Sequence, residues 1–172
     1  QIMFVGIWAE TINTFLGEYQ QLSADFSTPI QTKEGEDGNV VEMEIPQVVT
    51  ISGILNSGIS ISEYHSGIAK HENLNQIEWI TDRGTLRLNA MTSLEWSESG
   101  KDFVPVQVPE NQTRDWMVEA DFIQAVRLAS EGASESERPV SPDFAEGLKY
   151  MKKMAALHLS AKEQRVVKLS EI

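Results

Sequence analysis

Apolar positions at the start of the chain recur at helical spacing. Ile2, Val5, Ala9, Ile12 and Leu16 fall on one stripe, and Gly17 suits the left-handed residue that ends such a helix. The period then changes to two. Leu22, Ala24 and Phe26 alternate within a strand predicted at 19–26. Residues 29–46 are polar and acidic, with Gly35, Asp37 and Gly38, and read as an exposed loop with a short strand near 40–43. β-Branched residues make 47–54 a strand, Asn56-Ser57-Gly58 a turn and 59–65 the returning strand. A polar connection at 69–75 leads to a hairpin, 76–81 and 85–89, turned by Asp82-Arg83-Gly84. Segments 94–97 and 103–108 flank Ser99-Gly100 as another hairpin.

Two helices follow. The first is expected at 115–129, with Thr113 as cap and Trp116, Ala120, Ile123 and Arg127 on one face. Its second apolar row is Phe122, Ala125 and Ala129. A polar linker at 131–138 precedes Ser141-Pro142, a serine cap with proline in the first turn. Phe144, Leu148, Met151, Ala155 and His158 mark the expected buried face of the last helix, which runs to about Ser160. A final short strand is expected at 166–169. The pattern implies an α+β fold: a single, mostly antiparallel sheet of about six or seven strands with helices packed on one face.

Composition narrows the function classes. The 172 residues suffice for one domain with a core. A net charge of −12 repels phosphate backbones, so nucleic acid is not an expected partner, and no membrane partner is expected either. Lys149, Lys152 and Lys153 are read as a solvated helix face rather than a functional patch. There is no cysteine, which removes thiolate chemistry and fits a reducing, cytoplasmic compartment. No apolar run approaches the ~20 residues of a membrane-spanning helix. The chain opens on Gln1 inside a helical pattern and is expected to be a fragment.

Four segments carry a resemblance. Leu16-Gly17-Glu18, Ile80-Thr81-Asp82-Arg83-Gly84-Thr85-Leu86, the helix Glu119–Arg127, and Pro142–Leu148 followed by Leu159-Ser160-Ala161 occur in order. They resemble the helix end, the Ile-x-Gly-x-x-Gly-Thr-Leu hairpin, the Glu-x-x-x-Phe-x-x-Ala-Ile-Arg helix and the final helix of the Gfo/Idh/MocA oxidoreductases. The branch most similar is the fungal one related to the galactose-regulon repressor. The resemblance implies that residues 1–172 are one C-terminal-type domain lacking an N-terminal Rossmann domain. It implies NAD or NADP for the parent and none in this fragment, where no Gly-x-Gly-x-x-Gly occurs. It also implies a substrate-pocket and oligomerisation role, as a homo-oligomer (a dimer) through the sheet. The substrate would be a sugar, polyol or related hydroxyl or carbonyl compound.

The same resemblance puts Ile7 at the family's histidine position, Glu10 at its aspartate and Met3 at its earlier acid. Isoleucine transfers no proton, so no catalytic residue is assigned. Glu10 and His65 are the substrate-facing candidates, set against an ordinary surface glutamate and a hydrogen-bonded edge histidine. His71 lies in a polar loop, and His158 reads as packing. Trp8, Trp116, Met151 and Met154 also read as packing rather than ligand contacts. No histidine cluster has metal-ligand spacing, and Glu34–Asp37 lacks calcium-loop periodicity. Two alternatives stay open: a non-enzymatic regulator or scaffold on the same fold, and a free-standing α+β binding domain.

Overall fold

The computed structural model describes residues 2–70, 75–90, 92–113, 115, 117–138 and 142–172, with Ile2 and Met3 described by backbone alone. The chain divides into two units, residues 1–68 with 141–172, and residues 69–140.

The first unit opens with α1 (Ile2–Leu16). Val5, Ala9 and Ile12 of the expected stripe are buried, and Gly17 closes the helix at φ +87°, its amide bonded to the Asn13 carbonyl. Strands β1 (Tyr19–Ser27), β4 (Val48–Leu55) and β5 (Ser60–Ser66) form an antiparallel sheet. The two-residue β10 (Val167–Lys168) completes it in the order β10-β1-β4-β5. The acidic stretch forms an exposed hairpin, β2 (Thr32–Glu34) and β3 (Val40–Glu42), where a loop with one short strand was expected. Helix α3 (Phe144–Glu163) lies over β1 and against α1. Leu22, Ala24, Val49 and Ile51 point from the sheet into a core that Val5, Ile12, Met154 and Leu157 close from the helices. Burying each of these larger side chains contributes roughly 1.5–3 kcal/mol.

The second unit holds β6 (Gln76–Ile80), β7 (Gly84–Asn89), β8 (Ser93–Glu98) and β9 (Val104–Pro105), an antiparallel sheet in sequence order, followed by α2 (Val118–Ser130). Arg87 links three neighbours on one sheet face. Its Nε donates to Glu78 at 2.8 Å, Nη1 lies 3.7 Å from Glu95, and the guanidinium sits 3.6 Å from the Phe103 ring centroid. Gly84 is required by close approach. A Cβ there would lie 2.1 Å from the Ser97 carbonyl oxygen of the paired strand.

Several expectations are corrected. The α+β class and antiparallel pairing hold, but among the described residues the strands fall into three sheets of four, two and four rather than a single sheet of six or seven. Alternation marks a strand's two faces; which strands pair is decided by contacts far apart in sequence. Helix α2 begins at Val118 rather than 115, with Met117 in the cap position instead of Thr113. Asp143 caps α3, its carboxylate accepting from the Glu146 amide at 2.8 Å; Ser141 lies outside the described residues. The stripe expected to be buried on α3 is its exposed side: Phe144 is 99% exposed, and Leu148, Met151, Ala155 and His158 are exposed too. The buried side is Lys153, Met154, Ala156, Leu157 and Ser160. Apolar residues surround this helix, so periodicity admits two faces and packing selects one. Lys153, expected in solvent, is therefore in the interior.

Candidate functional site

The site begins with a bulge. Tyr19 pairs with Leu55 and Gln21 with Ile54, so Gln20 is extra. The bulge puts Tyr19 on the same face as Leu22, into the core. Its ring lies over Gly53, where a Cβ would sit 2.5 Å from Cε1 of Tyr19. On the next strand, Glu63 is opposite Ile51 and His65 opposite Val49, so both point to that inner face. From above, α3 lowers Lys153.

The four side chains form one buried polar cluster centred on the Glu63 carboxylate. Oε1 accepts from Lys153 Nζ at 2.5 Å and from the Tyr19 hydroxyl, and Oε2 is 2.8 Å from His65 Nε2. Lys153 Nζ also sits 4.7 Å from the Tyr19 ring centroid. The side chains of Lys153 and Glu63 are 1% and 6% exposed. Burial pushes the Glu63 carboxyl up, but the bonds from His65, Lys153 and Tyr19 outweigh it and hold it down at about 2. Burial, and then the carboxylate beside it, push the Tyr19 hydroxyl far above its ordinary value. Burial also pulls the Lys153 ammonium below the usual lysine value, against the pull of Glu63. An ionised carboxylate only accepts, so His65 Nε2 carries the hydrogen of that bond. The cluster thus fixes a histidine tautomer and ties α3 to β5.

His65 is the link to the surface. Its side chain is 9% exposed, and its ring meets Phe4 of α1 edge-on at 5.8 Å. Phe4 is itself 47% exposed. Ile7 and Phe15 of α1 are also exposed, and Glu10 is half-buried on the same helix. Of the two sequence candidates, His65 joins a hydrogen-bonded group, while Glu10 has no place in it. Elsewhere, His158 stacks edge-on against Phe26 at 5.1 Å, Trp8 is half-buried and Met154 is buried. His71 and Trp116 lie outside the described residues. Asp37 is a turn residue, its carboxylate accepting from the Asn39 side chain and amide. Those bonds lower its pKa. Among the described residues no three histidine, aspartate or glutamate side chains are grouped to hold a metal, and no helix is long and apolar enough to cross a membrane.

Sequence reasoning missed Glu63, Tyr19 and Lys153. One signal was present: Glu63 and His65 are two apart in a strand, hence on one face. Nothing local to Lys153 distinguished it from Lys149 and Lys152.

No protein-family model and no curated protein matches the sequence. Solved structures do match the fold. Levoglucosan dehydrogenase in its apo form aligns over 95% of this chain and 49% of its own, at 18% identity and TM-score 0.73. The aldose-aldose oxidoreductase of Caulobacter crescentus aligns over 95% and 45%, at 18% identity and TM-score 0.65. The transcriptional regulator Gal80p of Kluyveromyces lactis aligns over 96% and 44%, at 15% identity and TM-score 0.66. The chain has the Gfo/Idh/MocA-type oxidoreductase fold. It spans about half the length of these Gfo/Idh/MocA-type proteins. At this identity the likeness is one of fold, and it includes both enzymes and a regulator.

Proposed function

We propose that this chain is the substrate-pocket and oligomerisation domain of an NAD(P)-dependent oxidoreductase acting on a sugar, polyol or related hydroxyl or carbonyl compound. The observation that carries the reading is the fold match over nearly the whole chain to about half of each sugar oxidoreductase, one of which has been solved with NADH. In this reading the dinucleotide is held by an N-terminal Rossmann domain of the parent. The exposed side of α1 with Glu10, and His65 beneath Phe4, form part of the pocket wall, and the sheet supplies the contact to a second copy. The parent works in the cytoplasm.

The test is an assay of the full-length protein with NAD+ and NADP+ against levoglucosan, glucose and myo-inositol, alongside sedimentation. The expected outcome is reduced nicotinamide with at least one of these substrates, from an oligomer. Failure of the protein to bind either dinucleotide by calorimetry would overturn the reading. A regulator on the same fold is the second reading. It is favoured by the exposed isoleucine, Ile7, in the position the resemblance gives to histidine, and it predicts dinucleotide binding without turnover.

A further inference from the structure

We infer that the hairpin β2–β3 is an arm that docks on the exposed side of α3 in a second copy of this chain, and that its own α3 receives the arm of that copy. Both surfaces belong to the first unit. The contact is separate from the sheet contact proposed above and does not rest on it. The arm is ordered without a core of its own. At its base the Gln47 side chain accepts from the Ile30 amide at 3.0 Å and donates to the Ile30 carbonyl at 2.8 Å. At its tip the Gly35 amide donates to the Asn39 carbonyl at 2.8 Å. All six strand residues are exposed, and a lone two-stranded hairpin is marginal in water. The register sets Glu34 opposite Val40 and Thr32 opposite Glu42, so these four share one face, with the valine between two glutamates. Val40 is 71% exposed.

Helix α3 presents the complement. Leu148, Met151 and Ala155 run along its exposed side, with Lys152 among them and Lys162 ten residues further on, both exposed. The two glutamates of this helix are already bonded, Glu146 to Lys149 and Glu163 to Arg165, so the stripe is left positive. Among the described residues, the side chains of Glu34, Glu36, Glu42, Glu44, Lys152 and Lys162 form no ion pair or hydrogen bond. An acidic arm with an exposed valine and a basic apolar stripe, both unpartnered on one unit, match each other in charge and in apolar character. The spans agree as well. The free acids run from Glu36 in the turn to Glu44 near the base, roughly 14 Å of extended chain, and ten helical residues separate the two lysines by about 15 Å. The arm leaves β1 just after Phe26, whose ring meets His158 of the same stripe at 5.1 Å. Arm and stripe therefore approach at one end of the unit. A two-fold axis there carries each arm onto the other copy's helix and buries the contact twice.

The experiment uses the full-length protein. In sedimentation, Val40→Glu is expected to halve the mass of the assembly. Glu34→Lys/Glu42→Lys and Lys152→Glu/Lys162→Glu should each weaken association by about tenfold or more, and added salt should weaken that of the unaltered protein. The four changes combined restore opposite charges across the contact and should restore association, a rescue that no folding defect gives. With a bismaleimide, Val40→Cys and Leu148→Cys proteins should cross-link to each other when mixed, and neither alone beyond the unaltered protein. A monomeric unaltered protein, or four changes that associate no better than two, would overturn the proposal. So would amide protection along the exposed side of α3 that is the same with and without Val40→Glu, since another part of the parent would then cover that side. A dimer whose mass Val40→Glu leaves unmoved would overturn this contact and leave the sheet contact standing, so the two fail separately.

Discussion

Replacing Lys153 by Met removes the lysine cation bonded to the Glu63 carboxylate and keeps a side chain of similar length in the core. Glu63 retains its bonds from Tyr19 and His65 but loses its countercharge at a position 6% exposed. In the intact cluster its carboxyl is lowered from 4.5 to about 2. That difference of about 2.5 units is worth about 3 kcal/mol of stability, since one unit is roughly 1.4 kcal/mol. The sign follows from the lowered value. The contribution is complete above the unfolded value of 4.5 and is lost as pH falls toward about 2. Without Lys153 the burial penalty is no longer outweighed, and the expected loss is about 3–5 kcal/mol at about pH 7. Protonation of Glu63 is the available relief, so the loss should shrink at about pH 4. The double variant with Glu63→Gln should regain most of the stability, because no buried charge remains. Urea unfolding at both pH values gives the differences, and amide exchange in β5 and α3 shows whether they arise in this unit. A Lys153→Met protein within about 1 kcal/mol of the unaltered one at about pH 7, or a double variant weaker than the single, would refute the reasoning.

Two further substitutions test the scaffold. Ser160 Oγ accepts from the buried Ala24 amide at 2.9 Å and donates to the Arg165 carbonyl at 2.6 Å, just where the two-residue β10 no longer pairs with β1. Ser160→Ala should therefore cost about 1–3 kcal/mol and speed amide exchange at Ala24; an unchanged unfolding midpoint would show that neither bond matters. Gly84→Ala drives a methyl into the Ser97 backbone and should cost more than the roughly 1–3 kcal/mol of ordinary overpacking, with lost protection across β7 and β8. Ser160 and Gly84 both lie in segments that carried the family resemblance, and each has a physical reason to be that residue, the Ala24 amide for one and the Ser97 carbonyl for the other.

What the sequence determined by itself was local. The period-3.6 stripe of α1, the period-2 strands, the Gly17 helix stop and the hairpin closed at Gly84 are set by residues within a few positions of one another. The motifs carrying the resemblance were also short local words, and the fold they implied is the one observed. Only tertiary structure decided the rest. It chose which side of α3 is buried, because that helix offers apolar residues all round. It divided the strands into separate sheets, because alternation does not name a strand's partner. It also made Lys153 an interior cation, because its counterion Glu63 is ninety residues earlier and shares no local pattern with it. A buried charge survives only where its partner and hydrogen bonds arrive from other elements, and that convergence is a property of the folded chain alone.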